Sequence, residues 1–275
     1  MHPIITKKEA DMIRITLGES VEISLDLGKT KTKVTIKDEH AHILGEKIPI
    51  SAFSKVKPET CYLVMEGELK KLALFSDETN FYYKLVPSRD WPTVTLSSTP
   101  MHRHCSVTPK NDTISKMNEI EPIKGNILDT CCGLGYTAIM EAKQADSVNV
   151  FERDENVLEI AKLNPYSQEL FTNPKIKLHI DSVFDGIKEF KKDFFDIIVH
   201  DPPTFKYSAE LYSRQFYSEL FRVLKKGGIL YHYAPWPKKT HKVEFYRGII
   251  LKLEENGFSD VKYSEKSSGV VARKE

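Results

Sequence analysis

The chain has 275 residues, 40% of them hydrophobic and 29% charged, with 40 Lys and Arg against 39 Asp and Glu. That length suits one large domain or two, and a net charge of +1 excludes a protein that holds nucleic acid by bulk positive charge, so any RNA contact has to come from a local patch. No apolar run reaches the roughly 18–20 residues that span a bilayer, and the stretch from Met1 to Lys8 has no signal-peptide core, which predicts a cytoplasmic protein without membrane association. The four cysteines, Cys61, Cys105, Cys131 and Cys132, show no CxxC spacing, and the adjacent pair cannot easily bridge; reduced thiols and no metal site are expected.

Residues 12–86 read as β-rich. Val21 to Leu25 and Lys33 to Lys37 alternate apolar and polar residues with period two, and Gly28-Lys29-Thr30 supplies a turn between them. Further strands are expected at Tyr62–Met65, Leu72–Phe75 and Phe81–Leu85, giving a small antiparallel sheet or barrel. This N-terminal domain, taken as residues 1–88, is either structural or a substrate-recruiting module carrying Lys29, Lys31 and Lys33. Residues 89–112 read as a linker, because proline and serine are dense between Pro87 and Pro100. The linker ends in the polar cluster Met101 to Cys105, which is expected to fold over a ligand pocket, with Arg103 available to an anion. His102 and His104 lack a third ligand and do not make a metal site.

From residue 113 onward strands and helices alternate. Strands are predicted at Asn126–Asp129, Ser147–Phe151, Ile176–Ile180, Phe195–Val199, Gly228–Tyr233, Ser259–Tyr263 and Gly269–Ala272, with helices over 137–143, 154–163, 184–191, 209–224 and 242–256. Such alternation gives an α/β fold: a Rossmann-like, doubly wound and mostly parallel sheet of seven strands. Only five residues separate the last two strands, so they form a C-terminal antiparallel hairpin. The apolar stripe Leu211, Phe216, Leu220, Phe221 and Leu224 belongs to the core.

The chemistry concentrates at the strand ends. Asn126 to Thr137 is a buried strand running through Asp129 into a turn with Gly133 and Gly135, then a helix from Tyr136 and Thr137. Glycines there let the backbone turn tightly and approach a ligand. Asp129 can order that turn or reach the ligand. Glu152 ends the second strand 23 residues later, followed by Arg153; a carboxylate at this spacing suits both hydroxyls of a ribose. Asp181 and Ser182 stand at the third strand end, where a base amino group can be met. Asp201-Pro202-Pro203-Thr204-Phe205 follows the fourth strand.

These segments resemble the class I methyltransferases that use S-adenosylmethionine (SAM), and more closely a set of predicted archaeal methyltransferases with DTC-GLGYTAI, AKLNP and HDPP segments. All three stand here, at Asp129–Ile139, Ala161–Pro165 and His200–Pro203. The resemblance implies SAM as cofactor, held by Asp129, Cys131, Gly133, Gly135, Tyr136, Thr137, Glu152, Arg153, Asp181 and Ser182, within a methyltransferase domain at 113–275. Cys131 stands where the superfamily most often has its first glycine.

Asp201-Pro202-Pro203 followed by an aromatic residue resembles the signature of methyltransferases acting on planar amino nitrogens. Such a nitrogen is a poor nucleophile because its lone pair is delocalised; two acceptors that hold its N–H bonds, the Asp201 side chain and the Pro202 carbonyl, draw it toward tetrahedral geometry. The ring that stacks on a flipped base comes one position late here, as Phe205, with Tyr207 the other candidate. Methylation at pyrimidine C5 is disfavoured, since it needs a cysteine nucleophile and none lies between 133 and 275.

Aromatic and basic residues interleave after the fifth strand, from Tyr231 and His232 through Trp236, Lys238 and Lys239, as suits a nucleic-acid strand or merely a solvated loop. The expected function is SAM-dependent N-methylation of an exocyclic base amine in structured rRNA or tRNA, cytosine N4 favoured. The alternatives are methylation of a protein amide or small amine, aminopropyl transfer, and RNA binding without catalysis.

Overall fold

Period-two patterning builds the first unit. In Thr32–Lys37, Val34 is buried while Lys33, Thr35 and Lys37 are exposed, the signature of a strand wet on one face. The structure, a computed structural model, describes residues 2–103, 106–235 and 245–275. The chain divides into two compact units: Met1–Lys110 with Asn156–Gln168, and Asn111–Glu155 with Glu169–Glu275.

In the first unit β1 (Ile4–Ile5) precedes helix α1 (Lys7–Ile15), whose start is fixed by the Thr6 amide donating to the Glu9 carboxylate at 3.2 Å. Then come β2 (Ser20–Ile23), β3 (Thr32–Lys37), β4 (His40–Ile43), β5 (Glu46–Pro49), β6 (Tyr62–Met65), β7 (Glu68–Lys71), β8 (Ala73–Ser76), β9 (Phe81–Val86), β10 (Thr93–Leu96) and β11 (Thr99–Pro100). They pair antiparallel in three sheets, β1-β6-β7, β2-β3-β4-β5 and β11-β10-β9-β8, instead of one sheet or barrel. Ile5, Ala10, Ile13, Ile23, Val34 and Phe53 are among its core residues. The stretch taken as an irregular linker contains β10 and β11: Val94 is buried opposite Leu85, so strand alternation there outweighs the neighbouring prolines. The N-terminal sequence was likewise read as β-rich from residue 12, yet Met12–Ile15 finish α1.

The second unit is built on one sheet. Helix α2 (Pro109–Glu119), which the sequence pattern does not announce, precedes β12 (Asn126–Asp129), α3 (Tyr136–Glu141), β13 (Ser147–Phe151), then α4 (Glu155–Leu163), nearly all of which belongs to the first unit, and after it α5 (Gln168–Thr172), β14 (Ile176–His179) and α6 (Val183–Gly186). There follow β15 (Phe195–His200), α7 (Arg214–Val223), β16 (Leu224–Tyr233), α8 (Phe245–Glu255), β17 (Ser259–Ser264) and β18 (Gly269–Arg273). The strand order is β14-β13-β12-β15-β16-β18-β17. The first five are parallel, and β18 runs antiparallel to both neighbours. The fold is therefore α/β, with the expected mostly parallel seven-stranded sheet and C-terminal antiparallel hairpin.

Leu128, Phe195, Ile198, Phe216, Leu220 and Leu230 are part of its core. The predicted helix 209–224 is divided by Ser213, whose hydroxyl accepts the Phe216 amide at 3.1 Å and caps α7 behind a short 3₁₀ turn, Ala209–Tyr212. At the other end of α7 the buried Lys274 ammonium donates to the carbonyls of Phe221 and Leu224, both at 2.7 Å, and to Asp193 at 2.6 Å. A cation there meets the negative end of the helix. Sheet growth changes direction between β12 and β15, so a crevice opens at their carboxyl ends, where α/β folds bind ligands.

Candidate active site

Two carboxylates follow the two strands at that crevice. Asp129 closes β12, beside Val199 of β15, and Asp201 stands just past the end of β15. Asp129 is fully buried and accepts from the Thr137 hydroxyl at 2.5 Å and the Cys131 amide at 3.2 Å, so it ties the turn to the start of α3. Burial outweighs those bonds and pushes its carboxyl up to about 7, the Asp201 charge adding to the rise. Gly133 and Gly135 sit at φ +55° and +76°, conformations that side chains with a Cβ rarely adopt. A Cβ on Gly135 would also lie 2.9 Å from the Leu170 side chain. Cys131 is not among the positive-φ residues, so this turn does not require a glycine there.

Glu152 follows β13 and reaches back to the same turn. Its two oxygens accept from the Gly133 amide at 2.9 Å and the Asp154 amide at 3.0 Å. Burial is the main reason its carboxyl is lifted to about 7. A carboxylate has about four lone-pair positions, so two stay available for hydroxyl donors. Arg153 is exposed and donates to Glu210 at 3.0 Å and to the Tyr207 carbonyl at 2.8 Å, which fastens the loop after β15 to the end of β13. Asp181 is exposed past β14 and accepts the Ser182 amide at 2.7 Å, while Tyr136 and Thr137 are buried at the start of α3.

Pro202 is buried and Pro203 exposed. The Pro203 carbonyl accepts from the Ser208 hydroxyl at 3.0 Å and the Tyr212 hydroxyl at 2.8 Å, so that acceptor is spent on shaping the loop. Phe205 is 51% exposed, with its ring edge-on to Tyr212 at 5.7 Å and to Phe245 at 6.5 Å. Tyr207 is also exposed.

Asp201 itself is held by a residue the sequence reading missed. Lys116 of α2, only 4% exposed, places its ammonium 2.6 Å from the Asp201 carboxylate and 2.9 Å from Asp112, one helical turn earlier. Burial pulls the lysine down, but the Asp201 and Asp112 charges together keep it well above its ordinary value. The only sequence signal was the Asp112/Lys116 spacing of four on a helix; nothing linked it to a residue 85 positions later.

His232 is corrected. Expected from the sequence as a substrate contact, it lies fully buried in β16 between β15 and β18. Its Nδ1–H donates to the Tyr233 carbonyl at 2.7 Å, and Nε2 accepts from the Tyr217 hydroxyl at 2.8 Å. Burial lowers it to about 4, so at neutral pH it is an uncharged part of the core. His200 packs edge-on to it at 4.5 Å, donates from Nε2 to the Leu211 carbonyl at 3.1 Å and accepts from the Thr130 hydroxyl at 2.7 Å. Arg103 belongs to the first unit, where it is half-buried. Trp236, Lys238 and Lys239 lie outside the described residues. Among the described residues no three His, Cys, Asp or Glu side chains come together as a metal cluster, and no helix is long and apolar enough to cross a membrane.

Residues 113–258 match the family model "Methyltransferase small domain". The chain belongs to that family. Over nearly its whole length the chain is 39% identical, over 278 residues, to the uncharacterized protein MJ1233 of Methanocaldococcus jannaschii, covering 98% of this chain and 95% of that one. It is 31% identical over 182 residues to a polyamine aminopropyltransferase of Prochlorococcus marinus, covering 63% of this chain and 60% of that enzyme. Among solved structures, a spermidine synthase in complex with the transition-state analogue AdoDATO superposes with a TM-score of 0.58 at 16% identity, covering 74% of this chain and 73% of that one. That likeness concerns the fold. This methyltransferase-family chain thus carries its acids, glycine turn and Pro-Pro loop at the crevice of a methyltransferase-like fold.

Proposed function

We propose that this protein is a SAM-dependent methyltransferase that modifies an exocyclic amino nitrogen of a base in structured RNA, cytosine N4 favoured. One observation carries the reading: Asp201-Pro202-Pro203 follows the strand beside Asp129, and the exposed ring of Phe205 comes next in the same loop. The donor set suits SAM. Glu152 offers lone pairs to ribose hydroxyls beside a turn whose two glycines leave room for a ligand, and Asp181 offers a carboxylate at the next strand end. SAM, when bound, supplies an electrophilic methyl group on a sulfonium.

The chain's own part is positional. Asp201 accepts an N–H bond of the acceptor amine and draws the nitrogen toward tetrahedral geometry, which returns its lone pair to the direction of attack. Phe205 offers a face on which a flipped base stacks. The proton shed by the nitrogen leaves toward solvent, to which the Asp201 side chain is 24% open.

Aminopropyl transfer to a polyamine is the second reading, favoured by the named Prochlorococcus relative and by the fold it shares with spermidine synthase. The ammonium already paired with Asp201 argues for an uncharged acceptor over a polycation. The deciding experiment incubates the protein with methyl-tritiated SAM and total RNA from a strain lacking the gene, beside parallel tubes with protein extract and with decarboxylated SAM plus putrescine. Label in RNA, mapped to a methylated amino group by nucleoside mass spectrometry, is the expected result. Label in protein alone, or product in the putrescine tube alone, overturns the RNA reading.

A further inference from the structure

A second concentration of charge sits at the other end of the same sheet. Between the paired positions Phe195–Leu224 and Ile197–Ile229, one residue of β15 faces four of β16, so Lys225, Lys226, Gly227 and Gly228 bulge out of the ladder. A bulge re-aims the side chains it carries. Here it borders a cleft of about 290 Å³, lined by Lys225 and Lys226, by Lys124 from the segment before β12, by Arg273 at the end of β18, and by Asp196 of β15. Asp196 is the one acid in that lining, and it is already engaged. Its carboxylate accepts from Lys225 Nζ at 2.8 and 2.9 Å and from the Asn126 amide at 2.8 Å. Gly125 makes room for it, since a Cβ there would strike the carboxylate. Asp193, whose charge Lys226 also feels, is bound to Lys274 at 2.6 Å. Among the described residues Lys124, Lys226 and Arg273 form no ion pair, and all three are exposed. Uncompensated cations on a concave surface focus a positive field and concentrate anions there.

We propose that this cleft is a binding site for phosphate groups, presented by an RNA backbone or by a free diphosphate. A lone carboxylate would answer only one of the three cations. A phosphate ester brings about two charges and three acceptor oxygens, and successive phosphodiesters bring one charge each. The planar guanidinium of Arg273 suits two such oxygens at once, with Lys124 and Lys226 acting as point charges. The volume stands at the small end of the roughly 300–1,000 Å³ of small-molecule sites, which suits a compact anion. On a chain with a net charge of +1, a local cluster of this kind is what can hold a nucleic-acid strand. The site goes beyond the proposed transfer reaction and does not rest on it. Asp196 and Asp201 lie roughly 16 Å apart along β15, at about 3.3 Å per residue, and the cleft shares no lining residue with the crevice at the carboxyl ends.

The test titrates the full chain calorimetrically, at constant low ionic strength, with inorganic pyrophosphate and with a short RNA hairpin. Wild type is compared with Lys124→Gln/Lys226→Gln/Arg273→Gln, which leaves the Lys225–Asp196 pair in place. The control, Lys37→Gln/Lys47→Gln/Lys57→Gln, removes the same charge from exposed positions of the first unit. Lys226→Gln alone replaces the cleft variant if a thermal melt shows that the latter does not fold. Wild type should bind pyrophosphate at one site per chain. The cleft variant should lose about tenfold or more in affinity, and Lys226→Gln about threefold or more, while the control matches wild type. RNA that displaces pyrophosphate names a nucleic-acid backbone as the source of the phosphate; pyrophosphate binding that RNA leaves untouched names a free phosphorylated ligand. Absence of saturable binding by either probe overturns the inference. A cleft variant that binds as wild type does, or a control that loses as much as the cleft variant, overturns it as well. None of these readouts needs methyl transfer, so the transfer reading and the phosphate site stand or fall separately.

Discussion

Asp201 and Phe205 do separable work, and their variants should separate as well. Asp201→Ala is expected to lower kcat by on the order of 10²–10³-fold with SAM affinity retained, since it removes an acceptor that matters as charge develops. Isothermal titration with SAM beside the RNA assay checks this; equal losses in both would mean that the variant is simply misfolded. Phe205 is 51% exposed and meets the rings of Tyr212 and Phe245 by its edge, so Phe205→Ala should leave stability almost unchanged. Its KM for RNA should rise by roughly 10–100-fold, the worth of one stacked base, while Phe205→Trp restores it. Asp129 differs from both. Its contacts all run to the chain's own turn, so substituting it should cost cofactor affinity and stability together.

At the scale of elements, the turn between β12 and α3 is the most demanding piece of backbone. Gly135→Ala forces a side chain into φ +76° and against Leu170, at a cost of roughly 1–3 kcal/mol. A chemical denaturation series should therefore show a lower midpoint with an unchanged slope. What could be read from sequence follows the same logic of local signals. The strands Asn126–Asp129 and Ser147–Phe151 were legible to the residue because each is a short apolar run bounded by polar or turn residues, and burial on both faces of a parallel sheet selects just that pattern. Asp129, Glu152 and Asp201 were legible because strand ends in this topology face the crevice. The Lys116 contact was not, because a tertiary pair leaves no trace in spacing. The burial of His232 was not legible because Tyr231, His232 and Tyr233 look like an exposed aromatic cluster, whereas β16 is an inner strand buried on both faces from Gly228 to His232. Thr93–Leu96 was misjudged because Pro and Ser nearby mark a turn only when no partner strand is at hand.

For the molecule as a whole, pH acts through three buried acids and, in the opposite direction below the ordinary imidazole value, through His200 and His232, which burial holds neutral in the folded chain. Asp129 and Glu152 are lifted to about 7, and Glu141, fully buried with neither oxygen hydrogen-bonded, is held well above the ordinary carboxylate range by desolvation and the Asp129 charge. As pH rises from about 4, the unfolded chain releases these protons while the folded chain keeps them, so the unfolded state binds fewer protons and stability falls. The contribution is fully present below the unfolded carboxylate values and is lost by pH 7 for Asp129 and Glu152. A ceiling of about 1.4 kcal/mol per pH unit per group applies. Above the ordinary imidazole value only the acids act, so the thermal midpoint, measured at constant ionic strength, should be higher at pH 6.5 than at pH 7.5. Glu141→Gln should flatten part of that slope, and Glu141→Leu should raise the midpoint at pH 7.5, because an apolar group needs no partner there.

The strand order carries a further consequence, for synthesis. β18 lies between β16 and β17 although it comes later in the chain than either, and Lys274, just beyond it, holds the end of α7. The sheet bearing Asp129 and Asp201 thus stays open, with the edge of β16 unpaired on one side, until the segment through Lys274 has cleared the ribosome. Nascent chains stalled before residue 269 should be cut readily by protease across β15 and β16, and become resistant only when that final strand is released.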